Sequence, residues 1–369
     1  MPLSFLDDIT TILKDPSRPC FFFGSTPPRE GTSAEKALET SEKFASRSAV
    51  LAIDGFIIYD IQDESSRNDV ERPFPFRKTI DSSYYASLIT KVSGRPCVVY
   101  KSVVEESIES YSQWLDKACH TYEHTAYTLV GAASSKLQYK GPNLAEAAVF
   151  TKSRNTCSFG CVCIPERHMS KGGEALNMIR KIQWGAEWFI TQGVYAVEPV
   201  SKLINEYGDL CKEHGIVPKK VVLTFAPCGR PKTMNFLKWL GIYVPVAVEE
   251  RILTANNPVL ESVTMLQELL TELLKATAHS GVPLGINVES LSLYKEEIDA
   301  AHSLFQHLQV RYALLHTWLI RNTLLPPSKT RFLFICWYCC SRPLYWMRVD
   351  PLGQCAGFAL FSPDYSPTS

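Results

Sequence analysis

Eight short apolar runs constrain this chain more than any other feature: CFFFG (20–24), GFIIYD (55–60), PCVVYK (96–101), AYTLVG (126–131), FGCVCI (159–164), WFITQ (188–192), VVLTFA (221–226) and PLGINV (283–288). Amphipathic stretches with helical spacing follow them, over 34–45, 82–93, 105–119, 143–151, 170–184, 197–214, 230–240, 257–279 and 293–308. Runs that stay apolar along their whole length, rather than alternating, belong to strands buried on both faces, as in a parallel sheet covered by helices. Eight strand-then-helix units predict an α/β fold, a (β/α)8 TIM barrel, with a doubly wound sheet as the alternative. No G-x-G-x-x-G follows an early strand, so the dinucleotide fingerprint that favours the alternative is missing.

The 38 basic and 38 acidic residues cancel. No long-range field draws such a chain onto nucleic acid or an anionic membrane, and neither is expected as a partner. The first residues, MPLSFLDDITTILKD, carry acids where a secretory signal carries lysines, and their apolar residues recur at helical spacing; they predict a surface helix. No run of about 18 apolar residues predicts a membrane span. Twelve cysteines without a signal peptide imply reduced thiols and a cytoplasmic setting. A homo-oligomer is compatible with all of this.

After Gln309 the alternation stops, which divides the chain into a barrel over 1–309 and an irregular C-terminal extension over 310–369. Cys336, Cys339, Cys340 and Cys355 raise a metal site in that extension, but one C-x-x-C without a second pair is weak support, and no metal is expected. In a barrel, functional groups gather at the C-terminal ends of strands. That rule selects Gly24 to Arg29, Asp60 to Glu64, Lys101, Gly131 to Ser134, Pro165 to His168, Gln192 to Tyr195, Pro227 to Arg230 and Glu289.

Residues 159–192, FGCVCIPERHMSKGGEALNMIRKIQWGAEWFITQ, resemble the central motif block of methylenetetrahydrofolate reductase. In that family a strand ends in Y-P-E-x-H, a helix carries Asp and Asn ahead of an Arg-Lys pair, and the next strand ends in I-T-Q. Pro165, Glu166, His168, Glu174, Asn177, Arg180, Lys181, Gly185, Ala186, Ile190, Thr191 and Gln192 fall at the matching positions. The PPR of FFFGSTPPRE (21–30) and the run NFLKWLGIYVP (235–245) extend the likeness over roughly 20–309.

The resemblance implies a TIM barrel that passes a hydride from NAD(P)H through FAD to a reduced folate, in one-carbon metabolism and methionine biosynthesis. It implies FAD contacts at Gly131, His168, Glu174, Asn177, Arg180 and Lys181, and substrate contacts at Gln192, Tyr195 and Phe236. The helix spacing agrees, since Glu174, Asn177, Arg180 and Lys181 recur at i, i+3, i+6 and i+7 and collect on one face. A solvated helix face is the plainer reading of that spacing, and an amphipathic-helix Phe236 is more often core. Strand period points Val162 and Ile164 into the barrel and Cys161 and Cys163 outward, and leaves Cys157 without an evident partner.

Three departures touch the chemistry. The catalytic glutamate of the family's E-F-F-P-P-R falls on Gly24, L-R-G-D becomes LVGA with Val130 and Ala132, and the flavin-facing tyrosine becomes Ile164. Opening the five-membered ring of methylenetetrahydrofolate needs a proton, so a substitute acid is sought. Glu64 and Asp60 in YDIQDESSR are the expected substitutes, with Glu30 and Asp63 nearby; the plainer reading is a solvated run paired with Arg67. The extended segment ERPFPFRKT (71–79), held open by Pro73 and Pro75, is expected to cover the mouth as a lid. A flavin-free or chemically changed enzyme and a non-catalytic folate- or flavin-binding protein are the alternatives.

Overall fold

The computed structural model describes residues 8–65, 69–133, 137–324, 345–349 and 355–360, with side chains as far as residue 315. Eight parallel strands close into a barrel in sequence order: β1 (Phe21–Ser25), β2 (Gly55–Ile58), β3 (Cys97–Ser102), β4 (Ala126–Val130), β5 (Ser158–Cys163), β6 (Trp188–Gly193), β7 (Lys220–Phe225) and β8 (Leu284–Val288). β1 closes the ring by pairing with both β2 and β8, Phe23 lying opposite Phe56 and Val288. The (β/α)8 expectation holds because strands without a polar face need helices on the outside and each other on the inside.

A short helix, α1 (Ile9–Lys14), precedes the barrel. It is not the surface helix its acids suggested. Ile9, Ile12 and Leu13 are buried and join a cluster with Phe22, Ile57, Val98, Trp188, Ile190 and Val222, so α1 plugs the interior. The Lys220 ammonium secures it by donating to the carbonyls of Ile12 and Arg18.

Around the ring run α2 (Ala34–Ser48), α3 (Ser82–Ser93), α4 (Ile108–His120), α5 (Leu144–Arg154), α6 (Pro165–Lys171), α7 (Glu174–Trp184), α8 (Val197–Glu213), α9 (Pro231–Trp239), α10 (Val246–Leu253), α11 (Pro258–Ala276) and α12 (Lys295–Leu324). Ser33, Asp81, Ser107, Asn143 and Asn257 cap five of them through side-chain oxygens, Asn143 in a full capping box with Glu146. The helix expected over 170–184 is two helices. Gly172 and Gly173 take φ of 68° and 75°, a left-handed conformation that ends α6 and restarts the chain as α7.

α12 continues past Gln309 to Leu324, and compactness divides the chain at Thr317 and Trp318. In the second unit β9 (Tyr345–Val349) pairs antiparallel with β10 (Cys355–Leu360). Cys336, Cys339 and Cys340 lie outside the described residues, as does Arg67. Among the described residues no group of three metal-ligating side chains forms, and no helix is long and apolar enough to cross a membrane. Cys161 and Cys163 are fully buried on the outward side of β5, as their register required, whereas Cys157 is not alone: its thiol lies within hydrogen-bonding reach of Cys119.

Candidate functional site

Strand period fixes what faces the barrel interior. On β8 and just beyond it, Gly285, Asn287 and Glu289 share the inward side; on β1 these are Phe22 and Gly24, and on β2 Ile57 with Tyr59 following. Asn287 proves the direction by donating from Nδ2 to the Tyr59 hydroxyl at 2.8 Å. Since Phe23 pairs with Val288, the next step toward the mouth brings Gly24 beside Glu289.

The space at position 24 is already filled. A Cβ there would lie 2.9 Å from Tyr59 Cε2, 3.0 Å from the Tyr59 hydroxyl and 3.1 Å from Glu289 Cβ. A glutamate at 24 and the present pair of side chains therefore exclude each other. The Tyr59 hydroxyl donates to the Glu289 carboxylate, a bond that lowers the carboxyl pKa, but burial outweighs it and pushes the carboxyl up to about 7. Burial, and then the Glu289 charge, push the phenols of Tyr59 and Tyr100 well above their ordinary value. Their rings meet edge-on at 4.9 Å. Asn287 also reaches Thr224 Oγ1 at 3.3 Å, and its fully buried Oδ1 has no hydrogen-bond partner among the described residues.

The expected substitute acids sit elsewhere. Because Tyr59 faces inward, Asp60 turns out toward β3, where its Oδ2 accepts from the Ser102 amide at 2.8 Å. Burial raises its pKa to about 6 against the opposing pull of Lys101. Glu64 lies in the loop after β2, where its charge bears on Arg72. Asp63 caps the Ser65 amide at 2.9 Å, and exposed Glu30 pairs with Lys78 at 3.3 Å. The side chains nearest position 24 are Tyr59 and Glu289.

Segment 71–79 spans from the β1 loop to α9. At one end Arg29 bridges Thr79, and the Glu30 amide donates to the Lys78 carbonyl at 2.8 Å. At the other, Phe74 meets the Phe236 ring edge-on at 5.3 Å, and the Arg72 guanidinium lies 4.9 Å and 5.2 Å from the ring centres of Phe236 and Trp239. Phe236, expected to stack on a ligand, is 7% exposed because this strap covers it.

Two of the four motif residues on α7, Glu174 and Lys181, are turned inward on each other. Glu174 is completely buried; its carboxylate accepts from Lys181 Nζ at 3.1 Å and Asn177 Nδ2 at 3.2 Å, and meets Arg167 at 3.6 Å. Lys181 also donates to the Val162 carbonyl at 2.8 Å, tying α7 to β5. Arg180 alone of the four is exposed, and it donates to Asn177 Oδ1 at 2.9 Å. His168 is turned to α8, with Nε2 3.1 Å from Glu206. The Gly131 carbonyl accepts from Gln62 at 3.2 Å.

Of the expected substrate contacts, Gln192 is partly exposed at the end of β6, past a register shift after Ile190; it alternates with Gly193, whose Cβ position faces Ile242 and Leu237 of the outer layer, and donates to the Leu240 carbonyl at 3.4 Å. Tyr195 is 1% exposed and donates its hydroxyl to the Ala226 carbonyl, clasping β6 to β7. The structure thus brings Gln192, Tyr59, Asn287 and Glu289 to the inward-facing register, and turns His168, Tyr195 and Lys181 into structural ties. The strand-end rule picked out Glu289 without a role. Adding the closure of β8 onto β1 is what places it beside Gly24.

No family model and no curated protein matches the chain. Among solved structures, an uncharacterized protein from Clostridium thermocellum that binds two copies of 5-methyl-5,6,7,8-tetrahydrofolic acid is 30% identical, with a TM-score of 0.67 over 80% of this chain and 95% of that one. Oxaloacetate acetylhydrolase in complex with oxalate (13% identity, TM-score 0.42, 89% and 90% covered) and 2,3-dimethylmalate lyase (10%, 0.38, 82% and 95%) match too weakly to carry an argument. Barrel, register and this extent of identity together place the chain in the family of the Clostridium thermocellum folate-binding protein.

Proposed function

We propose that this chain binds a reduced folate at the mouth of its barrel, as a relative of the methylenetetrahydrofolate reductase type. The likeness to the 5-methyltetrahydrofolate-binding protein over 95% of its length carries this reading. The mouth supports it chemically. A pterin edge offers alternating donors and acceptors, and Gln192, Glu289, Tyr59 and Asn287 supply both kinds of group on the inward-facing register.

The motif face fits FAD only in part. A flavin diphosphate needs cations that can reach it; Arg180 is exposed, but Lys181 is buried and committed to Glu174 and Val162. Val130 and Ala132 offer a flavin ring no charged group. This favours a second reading over flavin-mediated transfer, namely that a reduced nicotinamide nucleotide, NADPH or NADH, gives its hydride directly to the one-carbon unit of a methylene folate. Calorimetric titration of the purified chain with 5-methyltetrahydrofolate tests the first reading, with saturable heat expected. Added methylenetetrahydrofolate and NADPH test the second, with loss of nicotinamide absorbance expected. Binding without nicotinamide oxidation leaves a folate-binding protein alone.

A further inference from the structure

Glu289 is a carboxyl that neither motif resemblance nor composition assigns, and its surroundings are those of a working group. We propose that Glu289, held by Tyr59, donates the hydrogen bond that reads the reduced pterin, and so supplies from β8 the acid that β1 lacks at Gly24. This rests on the reduced-folate reading above and names the residue through which that site discriminates.

Three observations converge on it. The first is position: Glu289 Cβ is 3.1 Å from where a side chain at 24 would begin, so the carboxyl enters the mouth from the adjacent strand at the same level. The second is direction. Asn287 donates to the Tyr59 oxygen, which leaves the Tyr59 proton to point at Glu289. One carboxyl oxygen is thereby engaged, which leaves the other to carry the proton. The third is electrostatics. The titratable groups facing Glu289 are Tyr59 from β2 and Tyr100 from β3, both neutral, so no cation opposes the effect of burial and only the Tyr59 hydrogen bond favours the ionised form.

A reduced pterin methylated at N5 presents a tertiary amine and a 4-oxo group, both acceptors. A neutral carboxyl donates to them and a carboxylate repels them. Asp60 lacks this position, because it turns away from the barrel interior to accept from the Ser102 amide on β3.

Titration of the full chain with 5-methyltetrahydrofolate from pH 6 to pH 8.5 separates this from a packing role. Wild-type affinity is expected to be level below the Glu289 pKa of about 7 and then to fall by about tenfold per pH unit. Glu289→Gln keeps a donor that cannot ionise, so it should bind within about threefold of wild type at pH 6 and stay level to pH 8.5; Glu289→Ala should lose about tenfold at pH 6. Tyr59→Phe removes the bond that lowers the carboxyl pKa, so the fall should begin at higher pH. Wild-type affinity that ignores pH, or a Glu289→Gln profile that falls like wild type, overturns the assignment and leaves folate binding intact. A wild-type chain that binds no folate at any pH overturns the folate reading, and the assignment with it.

Discussion

β1 and β5 stand on opposite sides of the eight-stranded ring, and they treat a shared motif in opposite ways. At β1 the motif residue is gone: Gly24 stands where a carboxylate is expected, yet Glu289 on the neighbouring strand puts a carboxyl into the same space. At β5 and α7 the motif residues remain, but Glu174 and Lys181 are turned on each other beneath the surface. Chemistry in a barrel belongs to a place at the mouth, which any of two or three strands can reach. A side chain that keeps its identity can still be reassigned to holding the scaffold.

The largest effect should come from the β5 side. Lys181→Met removes the buried cation from the fully buried Glu174 carboxylate and leaves it the half-exposed Arg167 at 3.6 Å, and breaking a buried pair in this way costs about 3 kcal/mol. Urea denaturation measures it; a variant as stable as wild type would mean that Lys181 is a spare ligand group and would erase the contrast.

On the β1 side, Gly24→Ala drives a methyl against the Tyr59 ring and Glu289, and overpacking of this kind costs about 1–3 kcal/mol. A neutral or stabilising result by the same measurement would show that the space is open and that Glu289 does not exclude an acid at 24.

The pH dependence of stability sharpens the same point. Burial raises Glu289 to about 7 and Asp60 to about 6, both above their unfolded values of 4.5 and 3.8. The folded state therefore holds these protons more tightly, and the stability they contribute is full below about pH 4 and lost as pH rises through 6 and 7. Denaturation at pH 5 and pH 8 should show wild type losing more stability than Glu289→Gln over that interval. Equal losses would place the Glu289 carboxyl in ordinary solvent.

The smallest effect concerns the strap. Phe74→Ala removes the ring against Phe236 and the face under Lys232, a loss of about 1 kcal/mol locally. Limited proteolysis should then cut within 71–79 faster than in wild type, and unchanged cutting would mean that the strap is held by its β1 end alone.

Much of the fold was legible because unbroken apolar runs have few solutions: FGCVCI and VVLTFA can sit only where both faces are covered. The plug helix α1 was missed because six residues with acids nearby carry the same period whether the apolar side faces a groove or a barrel end. The break between α6 and α7 hid in MSKGGEAL, where two glycines looked tolerable inside a helix. At the candidate site, the place of Gln192 at a strand end was legible from WFITQ. Glu289 needed the fact of closure, since it lies 265 positions along the chain from Gly24 and no local pattern links them. The burial of Lys181 against Glu174 was not legible, because spacing shows which residues share a helix face, and not whether that face looks out or in.

The most direct test is a pair of titrations on one preparation, with 5-methyltetrahydrofolate and with FAD, followed by protein fluorescence and by the absorption spectrum. The account predicts saturable folate binding and a flavin spectrum identical to that of free FAD. A protein that purifies yellow, or that takes up FAD stoichiometrically while ignoring folate, would contradict it.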